Sequence, residues 1–161
     1  MSVSARLKSY LDENRIQYTT ISHSPAYTAQ GAAATLHVPG KELAKSVVIN
    51  AGGRFMMAVL PASQHVDLKR LGELLGTPAG VATEVEFIGL FPDCEPGAMP
   101  PFGHLYNLPV YVEETLAKDE EIVFNAGTHR DAIRMKYADF VRLAQPIVER
   151  FAVRTARTAT R

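Results

Sequence analysis

The feature that most limits what this chain can fold into lies between residues 45 and 60. Two strand-like runs, Lys45 to Asn50 and Phe55 to Leu60, flank Ala51-Gly52-Gly53-Arg54. Apolar runs with a glycine pair between them read as a β-hairpin. Shorter strand-like runs follow at Leu108 to Glu113, Ile122 to Asn125 and Ala132 to Lys136, and one precedes at Tyr18 to Ser22. Helical stripes interrupt them without regular alternation. Ser4 caps a first helix through Asn14, Thr28 a second through about Leu36, Asp67 a third that stops near Gly76, and Thr83 a short fourth. A last helix covers Tyr137 to Ala144. Hairpins mixed with helices predict a mixed α/β (α+β) class: a single-domain mixed β-sheet, partly barrel-like, with flanking helices. The 161 residues suit one domain, expected over 1–151. Residues 152–161, with Arg154, Arg157 and Arg161 and no acid, read as a basic, frayed tail.

Charge constrains function. Lysine plus arginine and aspartate plus glutamate each total 17, so there is no basic excess of the kind that general nucleic-acid binders carry. A partner nucleic acid would have to be gripped locally. Lys41, Lys69, Arg70, Arg130, Arg134 and Lys136 are the candidates for a basic rim. The single cysteine, Cys94, permits no intramolecular disulfide, and no stretch is long enough to span a bilayer. A cytoplasmic protein is expected, with no membrane contact.

Three segments can carry chemistry. In Ala44-Lys45-Ser46-Val47-Val48-Ile49 alternation places Lys45 on a face with Val47 and Ile49. An ammonium ending an apolar row needs a carboxylate, a ligand or a route to water. In Gly97-Ala98-Met99-Pro100-Pro101-Phe102-Gly103-His104 two glycines bracket a rigid Pro-Pro step, and the remaining amides can form an arc for an oxyanion. The alternative is an ordinary structural loop, with His104 on the surface. In Asn125-Ala126-Gly127-Thr128-His129-Arg130-Asp131, Gly127 permits a positive φ and Thr128 and His129 sit at the tip. His129 can act as base, acid or donor, or the tip can simply be wet. Asp131 is expected to pair with Arg130 or Arg134.

Other chemistries find no support. The five histidines lie far apart, without metal-ligand spacing. Cys94, between Asp93 and Glu95, lacks the basic neighbour that a thiolate nucleophile needs. No phosphate loop or dinucleotide fingerprint occurs, so neither cofactor nor metal is expected.

Taken in order, His23-Ser24-Pro25-Ala26-Tyr27-Thr28, Ala44-Lys45-Ser46-Val47-Val48, Gly97 to Gly103 and Asn125-Ala126-Gly127-Thr128-His129 resemble the YbaK/EbsC superfamily, whose domain also occurs as the editing insertion of bacterial prolyl-tRNA synthetases. The resemblance runs from the first helix to about Phe151. It implies hydrolysis of the ester joining a mischarged amino acid to the tRNA 3′ end. It implies Lys45, Gly97 and His129 as catalytic. Tyr27, Ala98, Met99, Pro100, Pro101, Phe102, Gly103, Gly127 and Thr128 are implied as substrate-binding. The partner is then the acceptor end of a mischarged tRNA, and an aminoacyl-tRNA synthetase can be a second. Members act on cysteine, alanine, serine or threonine. The cysteine-specific branch carries an aspartate where this chain has Ala132, which points away from that branch. Two rival functions are a non-catalytic module that binds an aminoacyl group or docks on a synthetase, and a hydrolase of small aminoacyl esters. The sequence says nothing of oligomeric state.

Overall fold

The computed structural model describes residues 3–24 and 39–154. Tyr27 and the helix expected from Thr28 lie outside the described residues. Helix α1, Ala5–Glu13, starts at Ser4, whose hydroxyl accepts the Leu7 amide at 3.2 Å. Leu7 and Leu11, four apart, are buried. Strand β1 (Tyr18–Ser22) follows, then the hairpin of β2 (Leu43–Ala51) and β3 (Arg54–Pro61). Gly52 and Gly53 turn the hairpin with φ of +61° and +87°, the mirror-image geometry that matches strand twist. After β4 (Gln64–Val66), helix α2 (Leu68–Leu75) is capped by Asp67 and closed by Gly76 at φ +74°. Strand β5 (Ala79–Val81) leads to α3 (Glu84–Phe87), where Thr83 and Glu86 form a reciprocal capping box. The remainder is β6 (Val110–Glu113), β7 (Glu121–Asn125), β8 (Asp131–Lys136), α4 (Tyr137–Ala144), β9 (Ile147–Glu149) and β10 (Ala152–Arg154).

Seven strands run β1-β8-β7-β2-β3-β6-β9, with β5 laid along β2, and the path is open at both ends. The sheet is mixed: β2/β7, β3/β6 and β6/β9 are parallel, the other pairs antiparallel. Strand β3 is central, and its two faces feed two cores. Met57 and Val59 join Leu7, Leu11, Phe102, Phe124 and Phe140 on one side. Met56, Ala58 and Leu60 meet Leu71 and Phe151 on the other. A strand covered on both faces reads as a continuous apolar run, as Phe55 to Leu60 does.

The chain past Phe151 differs from the expected tail. Ala152–Arg154 form β10, paired with β4. The buried Glu113 carboxylate holds this end down: one oxygen accepts the amides of Phe151 and Ala152 at 2.9 and 2.8 Å, the other that of Thr115 at 3.0 Å. Three residues are too few to show alternation, and their partner lies more than eighty residues upstream.

Candidate active site

Lys45 stands where β2 changes partner. On one side β2 pairs with β7 only at Leu43–Val123 and Ala44–Phe124. From Ile49 to Ala51 the same side is taken by β5. Between them the Val48 carbonyl accepts the Ala82 amide at 2.9 Å, and no described strand pairs with residues 45–47 on this side, a break in the ladder among the described residues. The break lies just past the carboxyl end of β7, beside the first half of β2. On the other side Lys45 faces Leu60. Its ammonium enters no ion pair or hydrogen bond among the described residues, and burial pushes its pKa below the ordinary lysine value. Of the outcomes open to a strand-end lysine, a protein carboxylate is thus not the one found.

The turn after β7 is fixed from within. Thr128 is fully buried; its hydroxyl donates to Asp131 at 2.6 Å and accepts the amides of Arg130 and Asp131 at 3.1 and 3.0 Å. Thr128 and His129 are therefore not a wet tip but the inside of a closed turn. Asp131 serves Thr128 and Ser22 instead of an arginine, and Arg134 lies 3.8 Å from Glu121 and 4.0 Å from Glu42.

This turn is laced to residues 93–98. The Glu95 amide donates to Gly127 at 2.7 Å, and the Gly127 amide to Ala98 at 2.9 Å. The Glu95 carboxylate accepts the His129 amide at 2.8 Å. His129 Nε2 lies 2.8 Å from the Pro96 carbonyl. A carbonyl only accepts, so this nitrogen is the donor, and it is unsuited to act as a base. The role that this contact supports for His129 is to hold the 93–98 segment in place. Gly97, exposed at φ +87°, lies against the same ring: a Cβ there would stand 3.4 Å from His129 Cε1.

The 97–103 segment is a narrower arc than the sequence suggests. The Ala98 amide is spent on Glu95 at 3.0 Å, and Gly97 donates weakly to Met99 Sδ at 3.1 Å. The amides of Met99, Phe102 and Gly103 enter no hydrogen bond among the described residues. Ala98, Met99, Pro100 and Pro101 are buried. Phe102 is wholly buried, and its ring meets those of Phe124 and Phe140 edge-on at 5.7 and 5.5 Å. Gly103 is wedged so that a Cβ would fall 2.7 Å from the Leu108 carbonyl. Both therefore anchor the arc to the core. His104 is exposed beyond them, its ring 4.9 Å from that of Tyr10.

Sequence reading missed a further support. Asp93 accepts from Ser4 Oγ and, at 2.8 Å, from Tyr106. Ser4 was legible only as a helix cap and Asp93 only as a charge beside Cys94. Nothing local announces that residues so far apart in sequence meet. Burial pushes the Cys94 thiol up to about 12, which makes it inert as a nucleophile. Among the described residues no three His, Cys, Asp or Glu side chains are grouped to hold a metal ion.

Similarity to known proteins identifies the family. The model of the aminoacyl-tRNA editing domain matches residues 23–143. A multifunctional Ser/Thr-tRNA deacylase, ProXp-y, from Escherichia coli K12 is 29% identical over 152 residues, covering 91% of this chain and 90% of its own. Among solved structures, a candidate trans-editing enzyme for prolyl-tRNA synthetase superposes with a TM-score of 0.79 at 25% identity, covering 97% of this chain and 99% of its own. The hypothetical protein APE2540 shares the fold at a TM-score of 0.83 and 19% identity, covering 92% of this chain and 99% of its own. The chain belongs to the aminoacyl-tRNA editing domain family and is an aminoacyl-tRNA deacylase.

Proposed function

We propose that the amino acid removed is small and carries a hydroxyl, serine or threonine, and that the reaction is centred on Lys45. The position of Lys45 carries this reading. A half-buried ammonium at a break in the sheet, with no anion paired to it among the described residues, is suited to an electronegative group of the substrate. The preference for serine or threonine is supported by the printed activity of the Escherichia coli relative.

The ester is already activated, so a placed water and a stabilised oxyanion suffice. In this reading Lys45 binds oxygens near the scissile ester, and the uncommitted amides of the 99–103 stretch receive the carbonyl oxygen. With His129 Nε2 directed at Pro96, the free ribose hydroxyl of the terminal nucleotide is the better candidate to orient the water. Arg130, exposed in the turn that carries His129, supplies a cation toward the phosphates. Docking on a synthetase would add affinity without altering the site.

The test is a panel of alanyl-, cysteinyl-, seryl- and threonyl-tRNAs, on their own tRNAs and on proline tRNA, with wild type and Lys45→Ala. Clearance of the seryl and threonyl members by wild type alone is expected. Clearance of alanyl or cysteinyl members instead overturns the specificity. Equal rates on tRNA and on free aminoacyl esters would favour the small-ester hydrolase. Binding of an aminoacyl analogue without turnover would favour the non-catalytic module.

A further inference from the structure

The Oδ1 atom of Asn125 is buried and accepts no hydrogen bond among the described residues. Leaving an acceptor buried without a donor is costly, and native chains seldom do so without a reason. Its cross-strand partner offers no side-chain donor. Across the ladder Asn125 faces Ala132, whose side chain is a methyl group.

The position of Asn125 suggests the donor. Ile122 and Phe124 of β7 point into the first core, so alternation sends Val123 and Asn125 to the opposite face. On β2, Ala44 and Val48 belong to that same first core, so Lys45 projects from the opposite face too. The ladder pairs Leu43 with Val123 and Ala44 with Phe124, and the same register carried one residue past its end brings Asn125 toward Lys45. Neighbouring strands lie about 5 Å apart. A cation and a neutral acceptor, neither with a partner among the described residues, thus lie on the same face of neighbouring strands where the β2/β7 pairing ends.

We propose that Asn125 accepts a hydrogen bond from the α-ammonium of the aminoacyl ester and is a specificity-determining residue of the deacylase. The inference rests on reading Lys45 as the substrate-binding cation. An aminoacyl ester carries a cationic donor and a carbonyl acceptor on adjacent carbons. The pair on the protein is the complement: Lys45 for the oxygens, Asn125 for the ammonium. The choice of an amide follows from electrostatics. An aspartate here would pair with Lys45 and neutralise it, whereas an amide oxygen takes the ammonium and leaves Lys45 charged.

The experiment compares seryl-tRNA with 3-hydroxypropionyl-tRNA, which keeps the ester and the side-chain hydroxyl but has hydrogen in place of the ammonium. Each kcat/KM is divided by the uncatalysed hydrolysis rate, because the ammonium also activates the ester. Wild type is expected to favour seryl-tRNA by about 10- to 100-fold, the range for a hydrogen bond to a charged group. Asn125→Ala is expected to lose that factor on seryl-tRNA and nothing on the analogue. Equal losses on both substrates overturn the proposal. Should Asn125→Ala not fold, the wild-type ratio still decides, since a corrected ratio near one overturns it. Lys45→Ala run alongside separates the two readings. If it clears seryl-tRNA as well as wild type does, the Lys45 site falls and the proposal with it. If it is inactive while Asn125→Ala loses equally on both substrates, the ammonium contact alone is refuted.

Discussion

The Ser4 hydroxyl donates to the Asp93 carboxylate, and the Ser4 amide donates to the Ala126 carbonyl at 2.8 Å, so one residue at the start of α1 ties together both loops of the site. The same oxygen caps the helix through Leu7. Ser4→Ala removes a cap worth about 1 kcal/mol and strips the buried end of Asp93 of a donor, a further ~1–3 kcal/mol. A loss of about 2–4 kcal/mol in urea unfolding is expected, with a lower kcat. Burial raises the Asp93 carboxyl, but the bonds from Ser4 and Tyr106 outweigh it and hold the pKa below the ordinary 3.8. That contribution is complete above pH 3.8 and is lost as pH falls through the lower folded value. The acid limb of the Ser4→Ala stability curve should accordingly be shallower than that of wild type. Superimposable limbs would show that the contact does not hold Asp93 ionised.

Gly127 and Gly53 give an internal comparison. Both have positive φ, +102° and +87°, but a Cβ on Gly127 would stand 3.1 Å from Ser4 whereas one on Gly53 meets nothing within 4 Å. Alanine at Gly53 meets only the left-handed backbone penalty, about 1 kcal/mol. Alanine at Gly127 must also push α1 from the loops. Gly127→Ala should therefore lose more stability than Gly53→Ala and, unlike it, lose deacylase activity. Equal melting temperatures would mean that α1 yields freely.

How much of this was written locally can be read from particular residues. Ser4, Asp67 and Thr83 cap the helices their side chains predict, and Gly76 ends α2, because capping is settled within four residues. The hairpin is found within two residues of the expected bounds, since Gly52-Gly53 fixes it. Strands β4, β5, β9 and β10 went unseen; each has three residues and exists through a distant partner. At the site, alternation gave the face that Lys45 shares with Val47 and Ile49, and the family resemblance gave its proposed role. The burial of Thr128 and Phe102, the Pro96 contact of His129 and the orphaned Asn125 oxygen arise from long-range packing that no local pattern encodes.

Lys45 should separate stability from activity. Burial lowers its pKa below 10.5, so between the folded value and 10.5 the unfolded chain holds more protons than the folded one. Stability at this position consequently rises as pH climbs through that window. Activity that needs the charged form falls over the same window. Lys45→Met, which keeps the stem and discards the charge, is expected to melt at or above the wild-type temperature with deacylation lost. A variant that melts lower while retaining activity would assign Lys45 to the fold and not to the reaction.

Arg130 tests the grip on tRNA. It is exposed in the turn whose buried members set the site, so its side chain can be changed without disturbing Thr128 or His129. The bond from its backbone amide to the Thr128 hydroxyl survives substitution by alanine. Were Arg130 to contact a phosphate, removing it would release one fewer counterion on binding and flatten the dependence of affinity on salt by about one unit of slope. Arg130→Ala should raise KM for aminoacyl-tRNA several-fold at low salt, leave kcat unchanged, and converge with wild type as salt rises. The fall in rate on a short aminoacylated minihelix should be the same if Arg130 contacts the acceptor end, as proposed. An effect confined to full-length tRNA would place its contact on the tRNA body, and an unchanged salt slope would remove Arg130 from the interface altogether.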